Sequence, residues 1–155
     1  MKIKADGITN LTDARYFAAK EVAYLTFHFT EGAADYINPS IAKAIAAWVE
    51  GVSIVGKWAR LSVSEINEWA HLLSLNVVQI DEFLRSIHTE PLQVPVIKRF
   101  VVETTTDLAT LRAEMLHLKH IVLAFELDFE NIDWNDLKQK RTLISLHDLK
   151  QLAHD

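Results

Sequence analysis

Cysteine is absent from the chain, which excludes a disulfide framework, a thiolate nucleophile and any zinc site built on thiolates. Glycine is scarce: there are four, Gly7, Gly32, Gly51 and Gly56, and none beyond. Loops that cradle phosphate generally need glycine so that backbone N–H groups can close on the anion. The C-terminal two-thirds therefore carries no Gly-rich phosphate nest. No apolar run approaches the roughly 18 residues of a membrane span, and Met1-Lys2-Ile3-Lys4 opens the chain without a signal-peptide core. Basic runs are missing too. With 16 Lys and Arg against 21 Asp and Glu, the net charge of -5 argues against a nucleic-acid footprint. What is present is ordinary: half of the residues are apolar and 24% charged, in 155 residues. That is enough chain to bury a core without staples, so a single cytoplasmic domain over 1–155 is expected.

Short apolar strands alternate with amphipathic segments throughout. Lys2 to Ile8 reads as a strand, followed by Asn10 as an N-cap and a helix through Glu21 striped by Leu11, Ala14, Phe17 and Ala18. Val22 to Phe29 is β-branched and aromatic, a second strand. Asn38-Pro39 is a cap followed by proline at the first helical position. Ile41, Ala44, Ile45, Trp48 and Val49 then form a helical stripe ended by Gly51. Val52 to Ala59 is the third strand. Ser62 and Glu65 have capping-box spacing ahead of a face made by Ile66, Trp69, Ala70 and Leu73. Asn76 to Asp81, Pro95 to Val102 and His120 to Asp128 give strands four to six, with a helix from Thr105 or Thr106 striped by Leu108, Leu111, Met115 and Leu118. An abbreviated helix or loop reaches Pro91, a polar helix spans Asn131 to Lys140, Arg141 to Leu146 reads as a seventh strand, and Asp148 to Ala153 as a last turn or two. Strict alternation with near-continuous apolar strands implies a parallel sheet covered by helices. Spacing alone fits an open doubly wound sheet and a (β/α) barrel equally well.

The opening Lys2-Ile3-Lys4-Ala5-Asp6-Gly7-Ile8-Thr9-Asn10-Leu11-Thr12-Asp13-Ala14 resembles that of the phosphoribosylanthranilate isomerase family, the tryptophan-pathway (β/α) barrels, which begin Lys-Ile-Cys-Gly-Ile-Thr before an Asn/Asp-Leu-x-Asp-Ala helix start. Further similar pieces follow in order: Phe27-His28-Phe29, Tyr36-Ile37-Asn38-Pro39, Val77-Val78-Gln79, Pro95-Val96-Ile97-Lys98 and Ile132-Asp133-Trp134. Together they cover residues 2–134. The resemblance implies a truncated TIM-like barrel of about seven parallel strands that lacks the eighth βα unit. Strands one and seven would then be open edges, and edges are normally covered or paired, so a homodimer is expected.

The chain also departs from the family pattern. Asp6 stands at the family's catalytic Cys, Asp35 at a substrate-holding Arg, and Gln79-Ile80-Asp81 at Gln-Leu-His. The Gly-Gly-Thr-Gly loop before Phe-Asp-Trp is deleted, and Ser145-Leu146-His147 replaces Gly-Gly-Leu. The family's reaction is an Amadori rearrangement, in which an acid protonates the ribose ring oxygen and a base removes the neighbouring C2′ proton. The resemblance places Asp6 as base and Asp128 as acid, with Glu126 as the other register. The related histidine-pathway isomerase family uses Asp at the base position. Lys4, Gln79, Asp81 and Lys98 are the candidate substrate-binding residues, and a small phosphorylated sugar the candidate ligand. Neither a cofactor nor a metal is expected; His117 and His120 straddle a helix–strand boundary, which does not make a metal pair.

Bland roles stand beside these. Asp6 can cap the turn before the first helix, Asp128 can be a loop carboxylate, and His28 reads first as a core or rim histidine. The lost phosphate loops favour a binding or interaction module that has shed isomerase activity. The retained first-strand signature favours the alternative, an active isomerase using Asp6 and Asp128.

Overall fold

A computed structural model describes residues 2–81, 91–129, 132–133, 135 and 145–152. Its elements, in chain order, are β1 (Lys4–Ala5), α1 (Leu11–Ala19), β2 (Tyr24–His28), α2 (Pro39–Ala46), β3 (Ser53–Lys57), α3 (Val63–Leu73), β4 (Val77–Ile80), β5 (Val96–Val101), α4 (Leu108–Leu118), β6 (Ala124–Asp128) and α5 (Leu146–Leu152). The strands form one sheet in the order β1-β2-β3-β4-β5-β6, and the pairs β1–β2, β2–β3 and β3–β4 are parallel. A doubly wound sheet reverses its strand order at a switch point. An order that never reverses, with helices between the strands, is the truncated TIM-like (β/α) barrel. Among the described residues the strands number six, where seven were expected. Of the expected seventh strand, 141–144 lie outside the described residues, and Leu146 opens α5 instead, because Ser145 and Asp148 cap a helix there: Ser145 N–H donates to Asp148 Oδ2 at 2.8 Å and Asp148 N–H to Ser145 Oγ at 3.3 Å. The expected segment from 82 to Pro91 and the polar helix of 131–140 likewise fall largely outside the described residues.

The chain divides into two compact units, Met1–Ile97 and Lys98–Asp155. In the first, local chemistry starts each helix where the sequence says it should. The Asn10 side chain accepts from Asp13 N–H at 2.9 Å, Asn38 accepts from Ser40 N–H at 2.9 Å with Pro39 at the first helical position, and Ser62 with Glu65 closes a full capping box. Such a cap stabilises by about 1 kcal/mol. Between the helices, Leu25, Thr26 and Phe27 are fully buried, and every residue of β4 is buried. Val55, Val77 and Ile97 meet in one apolar layer.

Three expected details differ. The first strand is not one run from Lys2 to Ile8: β1 holds two residues, and the pairing resumes only at Ile8 N–H, which donates to Thr26 O at 3.1 Å. Gly7 at φ +68°, a backbone that glycine tolerates best, makes the interruption. On α2, Ile45 and Ala42 face inward while Ile41 is exposed, and Trp48 lies beyond the helix end, 71% exposed, rather than in the core. The helix after β5 starts at Leu108 because Asp107, not Thr105 or Thr106, accepts from Thr110 N–H at 2.8 Å.

The second unit is more thinly packed. Val102, Leu111 and Ile132 are its buried cluster, supported by Phe100, Met115, Leu149 and Leu152. Val102 N–H donates to Asp128 O at 2.8 Å, which ties the end of β5 to the end of β6. No residue of β6 is fully buried.

Candidate active site

Parallel strands that are followed by helices present their C-terminal ends to one mouth, where barrel enzymes carry their chemistry. In the first unit those ends are polar and linked. His28 and Lys57 close β2 and β3, and the register pairs His28 with Lys57 and Lys57 with Gln79 of β4. Paired residues of neighbouring strands share a face, so one row across three strands holds an imidazole, an ammonium and an amide. The interruption after β1 adds a carboxylate: Asp6 Oδ1 accepts from the Gly7 N–H at 3.1 Å, and Oδ2 lies 3.5 Å from Lys4 Nζ and 3.6 Å from Lys57 Nζ. Lys4 Nζ also donates to Gln79 Oε1 at 2.7 Å. Three of the expected residues, Lys4, Asp6 and Gln79, are therefore brought together.

The loop after β2 completes the row. Its chain turns back on β2, with Ile37 N–H donating to His28 O at 2.9 Å and Tyr36 bridged to His28. That return sets Asp35 Oδ1 2.6 Å from His28 Nδ1 and Oδ2 3.9 Å from Lys57 Nζ. Asp35 lies over Gly7, where a Cβ would sit in ordinary van der Waals contact, 3.4 Å from the Asp35 Cβ. Burial pushes the Asp35 carboxyl up, but the His28 hydrogen bond and charge, its own backbone amide and Lys57 outweigh it and hold the group below the usual carboxylate range.

Asp81 stands beside this row. With Gln79 it lines a cavity of about 310 Å³ that also takes in Trp58, Arg60, Ser62 and Ile66. Gln79 is 1% exposed; its Nε2 finds no hydrogen-bond partner among the described residues, while its Oε1 is taken by Lys4. Trp58 folds back over Gly56, where a Cβ would lie 2.7 Å from the indole, and stacks at 5.0 Å on Phe29.

Asp128 and Lys98 belong to the second unit. Asp128 ends β6, and its Oδ2 accepts from Arg99 Nε at 2.8 Å and from Arg99 Nη2. Lys98 is buried, with Nζ 4.5 Å above the Phe100 ring and a hydrogen bond to the Arg99 carbonyl. Neighbours on a strand point to opposite faces, and it is Arg99 whose guanidinium engages Asp128.

Lys57 and the His28–Asp35 pair are the residues sequence reasoning passed over as site members. A lone lysine ending the apolar run Ile54-Val55-Gly56 was the available signal for the first. For the pair there was none, since seven residues and a loop separate its members.

A (β/α)-barrel protein whose strand ends carry paired carboxylates and ammoniums is equipped for proton transfer on a polar ligand. The chain belongs to the N-(5'-phosphoribosyl)anthranilate (PRA) isomerase family, whose pattern it matches over residues 3–142. Among solved structures it is similar to the phosphoribosyl anthranilate isomerase of Thermotoga maritima, at 22% identity and a TM-score of 0.69 over 92% of this chain and 73% of that one; another structure of that enzyme describes it as dimeric. The Thermus thermophilus enzyme matches at 26% identity and a TM-score of 0.69, over 84% of this chain and 64% of that one. A phosphoribosyl anthranilate isomerase in complex with reduced 1-(o-carboxyphenylamino)-1-deoxyribulose 5-phosphate matches at 23% identity and 0.68, over 92% and 72%. None of the curated proteins is significantly similar to the chain.

Proposed function

We propose that the chain catalyses an Amadori-type isomerisation of a phosphorylated amino-sugar, with phosphoribosylanthranilate as the substrate to try first. The observation that carries this reading is the position of Asp6: a carboxylate at the end of β1, fixed by the Gly7 amide and two lysines, with 40% of its side chain still exposed to a ligand. In the reaction Asp6 removes the proton from the carbon next to the amine-bearing one. Asp128 donates to the ring oxygen, and the C–O bond breaks with its electron pair on that oxygen. Lys4 and Lys57 offset negative charge on the substrate as it develops. Membership of the isomerase family and the relative in complex with reduced 1-(o-carboxyphenylamino)-1-deoxyribulose 5-phosphate both support this. Cysteine at the base position is not required by the chemistry, because a carboxylate can take the same proton.

Removal of Asp6 tests the reading. Purified protein is expected to consume phosphoribosylanthranilate, followed by loss of its fluorescence, and Asp6→Asn to slow turnover by about 100-fold or more. Absence of turnover in the unsubstituted protein would sink the proposal. It would leave the second reading, a non-catalytic ligand-binding module. One observation favours that reading: the Asp128 carboxylate is already engaged by Arg99. We further infer a cytoplasmic homodimer. Exposed apolar side chains in the second unit, Val101, Leu116 and Leu123, are consistent with a partner, and sedimentation equilibrium showing only monomer at high concentration would end the dimer.

A further inference from the structure

His28 has a role in neither reading above, yet it is the most carefully oriented titratable side chain of the first unit. It is 14% exposed in its side chain, and Asp35 takes its Nδ1 at 2.6 Å. A carboxylate held as an anion only accepts, so Nδ1 carries a proton, and in the neutral imidazole it is Nε2 that has the lone pair. Nε2 makes no hydrogen bond among the described residues. A base with an orienting carboxylate behind it and an open nitrogen in front is the arrangement of a proton-transfer group. Its surroundings fit the same mouth as Asp6: Lys57, its register partner, bridges Asp35 and Asp6. The charged groups around it are Asp35 on its own loop, Lys57 on β3 and, through Lys57, Asp6 after β1.

We propose that His28, positioned by Asp35, is a second proton-transfer residue of this mouth and turns the enol formed after the Asp6 step into the product ketone. The inference rests on the isomerisation proposed above. In the step, the enol O–H bond breaks as Nε2 takes the proton, and the oxygen's electron pair becomes the second bond of the carbonyl. The former C=C pair takes a proton at the neighbouring carbon from the same imidazolium. Histidine ends as it began, and no co-reactant is needed. Asp35 stays ionised throughout and stabilises the transient imidazolium.

The test compares unsubstituted protein, His28→Gln and Asp35→Asn across pH in the phosphoribosylanthranilate assay. His28→Gln is expected to lower kcat by about 100-fold or more with KM within about threefold. Asp35→Asn keeps an acceptor but loses the charge that steadies the imidazolium, so it is expected to lower kcat by less than His28→Gln does, again with KM nearly unchanged. Nitrogen-15 shifts of His28 in the unsubstituted protein check the geometry without any variant: protonated Nδ1 and bare Nε2 support the proposal, and the opposite tautomer overturns it. If the unsubstituted protein turns over and His28→Gln matches it, His28 is not the second group, while the isomerase reading stands. If the unsubstituted protein does not turn over, the isomerase reading fails and takes the ketonisation step with it.

Discussion

The two units of the chain start from similar strand sequences and reach different degrees of burial. Leu25-Thr26-Phe27 in β2 and Val77-Val78-Gln79 in β4 lose nearly all contact with water, whereas Phe125-Glu126-Leu127 in β6 remain half-exposed. β2 and β4 lie inside the strand order with a partner on each side, and β6 is the last of the described strands. An edge strand is covered on fewer sides whatever its composition. The same contrast runs through the chemistry. Strand ends of the first unit bring Asp6, His28, Asp35, Lys57 and Gln79 into one linked row, while at the end of β6 Asp128 pairs with Arg99. Organised chemistry accompanies the side of the fold where neighbouring strands fix each other's register.

The largest expected effect probes that contrast directly. Phe27→Ala empties a fully buried site and is expected to cost about 3–5 kcal/mol in urea unfolding, and Phe125→Ala, which leaves a half-exposed site, clearly less. Equal losses would mean that β6 is as well covered as β2 and would dissolve the comparison.

Gly56→Ala comes next. Its methyl would lie 2.4 Å from Leu75 Cδ1 and 2.7–2.8 Å from the Trp58 ring, so about 1–3 kcal/mol of overpacking is expected. A shift in Trp58 fluorescence should accompany it, and an unchanged spectrum with unchanged stability would place the indole elsewhere.

Smaller again are the two reciprocal serine caps, one per unit. Ser62→Ala and Ser145→Ala should each lower stability by about 1 kcal/mol, since both hydroxyls satisfy helix-start amides at 3.3 Å. If only Ser62→Ala registers in global unfolding, α5 opens before the rest of the protein.

The smallest effect is a matter of pH. The folded Asp35 carboxyl lies below its ordinary value of 3.8, so its contribution is fully present above the unfolded value and is lost as pH falls below about 3.8 and through the folded one. Asp35→Asn should flatten this part of the acid limb of stability. An unaltered limb would show that the His28 contact adds nothing to folding.

Much of this was legible in the linear chain where the physics is local. Asn10, Asn38-Pro39 and Ser62 with Glu65 announced three helix starts, because a cap acts on amides only two or three residues away. The Lys4-x-Asp6-Gly7 run put a carboxylate just past the first strand, where the Gly7 amide, Lys4 and Lys57 surround it. Trp48 misled the pattern reading: a stripe gives the spacing of a helix but not where the helix stops, and α2 ends at Ala46. Lys98 and Arg99 show the same limit, since alternation says that they diverge and only the fold says which one meets Asp128.

The sequence by itself determined the βα alternation, the helix caps and the family, all carried by short-range pattern. Tertiary structure alone decided that Lys57 would bridge Asp6 and Asp35, that His28 would face a carboxylate seven residues away, and that β6 would stay half-covered. Those outcomes depend on strand register and strand order, which are set when separate segments pair across the sheet and leave no mark in any one of them.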